Sequence, residues 1–207
     1  MNQLLTISLA ILGSYLLGSI PTSYIFGKIL KGIDIREHGS GNAGATNALR
    51  ILGTKWGILT MILDMAKGWL AVFLGRIVLD NPANWVLIAL ALGAIIGHIF
   101  TIYLGFKGGK GVATSAGVFI ALAPIPVAIA LAVFIITVWI TRYVSLGSML
   151  AALVAFGAEL FINIKNNFAD KEILGLVILI VAFIIFRHKA NIQRLLAGNE
   201  NKLKFKK

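Results

Sequence analysis

The sequence predicts an all-α integral membrane protein with seven transmembrane helices, its N-terminus outside and its C-terminus cytoplasmic. Three observations predict it. Of the 207 residues, 58% are hydrophobic and only 13% charged, which is too apolar for a soluble domain of this size. Apolar runs near the roughly 20 residues needed to cross a bilayer recur along the whole length. The net charge of +11 gathers in the segments between the runs and in the tail, as a topology signal does. No stretch remains for a separate soluble domain, so residues 1–207 read as one membrane domain.

Taken in order, the spans fall at about 4–27, 56–79, 85–104, 112–124, 126–141, 146–164 and 172–187. The first lacks a basic leader and a small-residue cleavage pattern, so it reads as a retained span and not a signal peptide. In the second, Asp64 and Lys67 stand three apart; either they pair across one helical turn, since a charge inside a membrane is tolerated best with a partner, or they contact substrate. Arg76 lies near the outer end of that span, where its long stem lets it snorkel to the interface. The third carries Gly93-x-x-x-Gly97, a spacing that lets helices approach closely. Pro124-Ile125-Pro126 divides a run of roughly thirty apolar residues into the fourth and fifth spans; one long kinked helix is the alternative. The sixth span holds Glu159 with no evident partner, and the seventh leads into a basic tail.

Charge decides between a turn and a kink at the prolines. With the N-terminus outside, the inner segments hold Lys28, Lys31, Arg36, Arg50 and Lys55, then Lys107 and Lys110, then Arg142. The inner tail adds Arg187, Lys189, Arg194, Lys202, Lys204, Lys206 and Lys207, and only Lys165 and Lys171 fall outside. Merging the fourth and fifth spans would put the tail opposite Lys107 and Lys110, against the positive-inside rule. The same topology brings four polar segments to one face, where they would build one site: two glycine-rich stretches, the Arg142 to Ser145 turn and the start of the tail.

Gly39-Ser40-Gly41-Asn42-Ala43-Gly44-Ala45-Thr46-Asn47 offers hydroxyl and amide donors on a permissive backbone, with Arg50 following. A guanidinium there forks bidentately onto a phosphate. Gly105-Phe106-Lys107-Gly108-Gly109-Lys110-Gly111 places two cations and flexible backbone donors before a helix start at Val112, an arrangement that favours an anion. It is not a Walker loop, since Leu104 stands where the leading glycine belongs and no Ser or Thr follows Lys110 directly. The plainer reading of both stretches is a pair of ordinary surface loops. His188 and Asn191, one turn apart, share a helix face. His38 and His98 stand alone and read as interfacial side chains.

Several chemistries are disfavoured. The chain has no cysteine, hence no disulfide, thiolate metal site or thioester nucleophile. No cluster has metal-ligand spacing. No His is followed five positions later by a carboxylate, so the His-x-x-x-x-Asp pattern of common glycerolipid acyltransferases is missing. The positive charge has no nucleic-acid-binding module around it and reads instead as attraction for anionic lipid or phosphorylated substrates. A small transporter of organic phosphates would place its glycine breaks near mid-membrane in a repeated arrangement, whereas these cluster at one face. A lipid phosphotransferase would show spaced acidic residues for metal, and the 8 Asp and Glu here are scattered.

The ordered set of Leu17 to Pro21, Gly39 to Asn47 with Arg50, Leu63-Asp64, Lys67-Gly68, Gly97-His98, Gly105 to Thr114, Arg142 to Ser145 and Arg187-His188 with Asn191-Ile192 resembles the bacterial membrane glycerol-3-phosphate acyltransferases that use acyl-phosphate as donor. The resemblance spans essentially the whole chain. It implies transfer of a fatty acyl group from acyl-phosphate to the 1-hydroxyl of sn-glycerol 3-phosphate, giving lysophosphatidic acid and inorganic phosphate, with no metal or organic cofactor. It carries the essential Ser and Arg of the family's first motif onto Ser40 and Arg50. The glycerol-phosphate loop falls on Gly108, Gly109, Lys110 and Gly111, the third motif's His and Asn fall on His188 and Asn191, and Ser145 matches a substrate-contacting Ser. Many members carry Glu before that Asn; Ala190 stands there in this chain. On this reading Lys110 and Arg50 hold the glycerol phosphate, helped by Lys107 and the loop's backbone. Ser40, Gly41, Asn42 and Thr46 help hold the acyl-phosphate head. Either His188 or the donor's own phosphate takes the hydroxyl proton, the phosphate being preferred because no strong protein base is evident.

Overall fold

The computed structural model describes residues 3–80 and 82–203. Lys204, Lys206 and Lys207 of the expected basic tail lie outside them. Among the described residues the chain is wholly helical, with ten α-helices and two short 3-10 turns. Contacts gather into two compact units, 1–122 and 123–207.

The first unit opens with α1 (Gln3–Ser19) and α2 (Thr22–Lys31), which form one apolar stretch broken at Ile20 and Pro21. A single helix was expected over 4–27. Proline supplies no N–H and disfavours helical geometry in the residue before it, so the ladder stops there. The break frees carbonyls inside an apolar setting, and polar side chains from α4 and from the segment after α5 take them up. Thr101 Oγ1 donates to Ser19 O at 2.6 Å, and Lys67 Nζ donates to Ile20 O at 2.8 Å. Helix α2 ends on Gly32 in the left-handed region, whose N–H caps Lys28 O. A loop follows, and then α3 (Ala45–Leu52), α4 (Thr54–Val78), α5 (Asn84–Ile99) and α6 (Val112–Leu122).

Small residues set how closely these helices pack. Gly18 of α1 lies against the backbone of Ala94 in α5, and Gly97 of α5 against Tyr15 O and Ser19 of α1. The Gly93 and Gly97 pair therefore serves the close α1–α5 approach that its spacing predicts. Gly68 of α4 lies against Thr114 O, and Gly117 of α6 against Met65 O. A side chain at any of these positions would push two helices apart.

The second unit holds α7 (Pro124–Thr141), α8 (Val144–Lys165), α9 (Lys171–Arg187) and α10 (Lys189–Leu196). Helix α6 ends at Leu122 and α7 starts with Pro124 at its first turn, where the missing N–H costs nothing. The helical run is thus interrupted at Ala123. Arg142, in the left-handed region, closes α7 and turns the chain into α8. Glu159, which lacked an evident partner in the sequence, accepts from Asn163 Nδ2 at 3.0 Å, and both are buried. Among the described residues, five helical stretches are long and apolar enough to cross a membrane, six if the pair α9 and α10, bent by 54°, is counted as one. Helix α6 has 11 residues, about 16 Å of rise.

Candidate functional site

Residues 35–52 carry the first group of expected site residues, and Asn47 organises them. Its Nδ2 donates to Ile35 O at 2.8 Å and His38 O at 3.0 Å, while its Oδ1 accepts from Ser40 N at 2.9 Å. Asn47 is 1% exposed. One amide thus satisfies three backbone groups and fixes the exposed Ser40, with Gly41 beside it, above the start of α3. Gly39, at φ 64°, is required there, because a Cβ would run into Asn47 Oδ1. Asn42 and Thr46 are half-buried at the same end of α3, and Arg50 lies further along that helix. Asn47→Ala would leave buried backbone groups unpaired, a cost of about 2–3 kcal/mol. The expected result is a lower melting temperature in detergent and faster proteolysis within 35–47.

Arg36 ties this loop to the second glycine-rich stretch. Its guanidinium forks onto the Asp34 carboxylate, at 2.7 Å in the shortest contact, and donates through Nη1 to Leu104 O at 3.0 Å. The stretch beyond Leu104 folds back over the end of α5. Gly108 N donates to Ile99 O and Gly109 N to His98 O, at 2.9 and 3.1 Å. Neither glycine has room for a Cβ: at Gly108 it would strike His98 O, and at Gly109 the His98 ring. These two glycines therefore cap α5 with their N–H groups and let the loop lie flat on it. Lys110 is half-buried and stands two residues before the start of α6; Lys107 is exposed.

His98 is not the isolated interfacial residue its sequence position suggested. It is 6% exposed, and its Nδ1 lies 3.7 Å from Asp64 Oδ1. The same oxygen pairs with Lys67 Nζ at 2.8 Å and accepts from Thr22 Oγ1 at 3.1 Å. Helices α2, α4 and α5 meet at this carboxylate, and the glycine loop sits on the histidine beside it.

In the second unit Ser145 stands in the first turn of α8, and His188 joins α9 to α10. His188 Nδ1 lies 2.8 Å from Ile184 O. A carbonyl only accepts, so the proton is on Nδ1, and in the neutral ring Nε2 carries the lone pair. Ser145 and Asn191 are brought together by Glu200. Its Oε1 accepts from Asn191 Nδ2 at 2.8 Å and from Ser145 Oγ at 3.1 Å, and its Oε2 from Arg194 Nε at 2.8 Å. Sequence reading missed Glu200; the signal was a lone carboxylate in an otherwise basic tail.

Two carboxyls outside the spans titrate abnormally. Hydrogen bonds from the Arg36 side chain hold Asp34 below the usual aspartate range. Burial raises Glu200, but hydrogen bonds from Asn191, Arg194 and Ser145 outweigh it and keep the group below the usual glutamate range. Both depressed values mean that the unfolded chain binds more protons on acidification. Stability from these groups is full above the ordinary carboxylate range and is lost as pH falls through the folded values. Melting temperature should decline with acid, and Glu200→Gln should remove part of that decline.

Among the described residues no group of three or more His, Asp or Glu is placed to hold a metal. A wholly helical membrane protein with a buried charged cluster under a glycine loop defines the class. The family model described as glycerol-3-phosphate acyltransferase matches residues 8–198. Similar proteins named glycerol-3-phosphate acyltransferase occur in Chlorobium phaeobacteroides, 44% identical over 93% of this chain and 94% of that one, and in Fusobacterium nucleatum, 43% identical over 93% and 95%. Crystal structures of PlsY (YgiH), an integral membrane glycerol 3-phosphate acyltransferase, are also similar. The glycerol 3-phosphate form matches at TM-score 0.85 with 37% identity over 96% of each chain. The lysophosphatidic acid form matches at 0.82 with 38% identity over 96% of this chain and 95% of that one. The chain belongs to the glycerol-3-phosphate acyltransferase family.

Proposed function

We propose that the chain acts as one acyltransferase domain over residues 1–207, moving a fatty acyl group from acyl-phosphate to the 1-hydroxyl of sn-glycerol 3-phosphate. The products are lysophosphatidic acid and inorganic phosphate. The reading is carried by full-length similarity to a relative whose solved form holds glycerol 3-phosphate, and the half-buried Lys110 at the start of α6 supports it. The membrane is the bacterial inner membrane, crossed seven times with the N-terminus outside and the substrate-handling loops cytoplasmic, on the strength of the basic inner segments.

Acyl-phosphate is a mixed anhydride, so no cofactor has to activate it. The glycerol hydroxyl oxygen attacks the acyl carbonyl carbon, the bond from that carbon to the phosphate oxygen breaks, and phosphate leaves. The departing phosphate takes the hydroxyl proton. Lys110 and Arg50 hold the glycerol phosphate, assisted by Lys107, while Gly108 and Gly109, whose N–H groups cap α5, and Gly111 shape the loop that carries Lys110. Ser40, Gly41, Asn42 and Thr46 hold the acyl-phosphate head. Ser145 contacts substrate, and His188 and Asn191 serve the catalysis, as the family resemblance assigns them. Holding two anions against their repulsion is the main work, and charge-assisted hydrogen bonds are suited to it.

The test supplies purified protein with palmitoyl-phosphate and glycerol 3-phosphate without divalent metal, and follows phosphate release and lysophosphatidic acid by mass. A parallel sample receives palmitoyl-CoA. Transfer from the phosphate donor alone is expected. Transfer from palmitoyl-CoA would overturn the donor assignment, and uptake of glycerol 3-phosphate into proteoliposomes without chemical change would replace the reading by transport.

A further inference from the structure

The loop that leads to Lys110 is tied down through its backbone. Phe106 N donates to Thr101 O at 2.8 Å, and Arg36 reaches Leu104 O. Gly108 N and Gly109 N are held on Ile99 O and His98 O. Beyond Lys110, Gly111 O accepts from Ser115 N at 2.8 Å, which joins the loop to the first turn of α6. These bonds fix the path of the chain. How closely the buried Gly109 settles on α5 is set by a side chain. The His98 ring lies against it, so near that a Cβ on Gly109 would strike Nε2, Cε1 and Cδ2.

The ring is itself fixed. Its Nδ1 faces Asp64 Oδ1 at 3.7 Å, and that carboxylate is anchored by Lys67 of α4 and Thr22 of α2. A line of contacts thus runs from Asp64 through the His98 ring to Gly109, and Lys110 is the next residue. Interiors packed this closely transmit small displacements instead of absorbing them. A charged group misplaced by about 1 Å can cost on the order of 100-fold in rate, so a loop resettled by a fraction of that distance has a measurable effect.

We propose that His98 is a positioning residue, whose ring, oriented by Asp64, sets the seating of Gly109 and through it places the Lys110 ammonium for the phosphate of glycerol 3-phosphate. The inference rests on the reading of Lys110 as a phosphate-holding residue. His98 acts through the loop and does not itself touch substrate.

The experiment uses the full chain in detergent, with palmitoyl-phosphate and glycerol 3-phosphate. It compares the native protein with His98→Ala, His98→Asn, His98→Gln, Gly109→Ala and Lys110→Ala, and with His98→Asn combined in turn with each of the last two. Asparagine keeps a polar group beside Asp64 but stops short of Gly109, so it decides the test if the alanine variant fails to fold by size exclusion. Either should raise KM for glycerol 3-phosphate about ten-fold, with KM for palmitoyl-phosphate changed less than about two-fold, a split that general loss of structure would not give. Glutamine, which reaches the place of Nε2, should recover most of the loss. In the Lys110→Ala background His98→Asn should add less than about two-fold, because residues acting through one another are not additive. Gly109→Ala should be strongly impaired, and His98→Asn should restore it by about three-fold or more, since the ring that the new Cβ strikes is gone. An asparagine variant within about two-fold of native, equal rises in both KM values, or losses that multiply with Lys110→Ala would each overturn the proposal. A Lys110→Ala protein as active as native would remove the phosphate-holding assignment and this proposal with it, and a native protein without transfer would sink the functional reading itself.

Discussion

Asp64→Ala should lower the stability of the protein by about 3–5 kcal/mol, the cost typical of breaking a buried ion pair by removing one partner. Asp64 is 2% exposed and is the common acceptor of Lys67, Thr22 and the His98 contact. Without it the Lys67 ammonium, 5% exposed, keeps the Ile20 carbonyl as an acceptor but has lost its counter-charge. Asp64→Asn retains an acceptor for Thr22 but not the charge, so it should fall between alanine and native. Removing both charges by Asp64→Leu with Lys67→Met should recover part of the loss and not all. Lys67 also caps the carbonyl freed by the break at Pro21, and an apolar replacement leaves that group unpaired. Thermal melting in detergent, read by intrinsic fluorescence, checks the series. An Asp64→Ala protein melting with the native one would refute this account of the cluster.

The same cluster marks where the sequence was readable and where it was not. Asp64 and Lys67 pair as their spacing of three predicts, because the helix itself brings them together. His98 reaches them from α5 only through the packing of α1, α4 and α5 on small residues, and no local spacing encodes a contact 34 residues away in the chain. The glycine loop teaches a related point. Its composition announced anion binding, yet Gly108 and Gly109 use their N–H groups on the carbonyls of His98 and Ile99, a demand set by how α5 ends. Hydropathy found the long helices well, since crossing a bilayer fixes length and apolarity in the sequence itself. It ran straight through Ile20 and Pro21, where the chain breaks and the freed carbonyls are paired by Thr101 and Lys67. Asn47 and Glu200 were hidden for another reason: each acts by satisfying distant backbone or side-chain groups, and a lone Asn or Glu looks the same whether or not it does so.

Lys110→Ala should reduce kcat/KM for glycerol 3-phosphate by about 100-fold or more, roughly 2.7 kcal/mol of transition-state binding, whereas Lys107→Ala should cost less than about three-fold. The two lysines are three residues apart in one loop and carry the same charge, so composition alone ranks them equally. The structure separates them. Lys107 is exposed, and its ammonium is solvated whether or not an anion is near. Lys110 is half-buried, directly after Gly109 is pinned on His98 and directly before the start of α6. Partial burial lowers the screening of its charge, and the helix start adds to the attraction for phosphate. Most of the Lys110 effect should appear in KM for glycerol 3-phosphate, with a smaller part in kcat, because ground state and transition state both carry that phosphate. Initial rates against glycerol 3-phosphate concentration for the two variants decide the matter. Equal small losses at both positions would mean that the loop attracts anions only as a basic surface, and the phosphate-holding role would pass from Lys110 to Arg50.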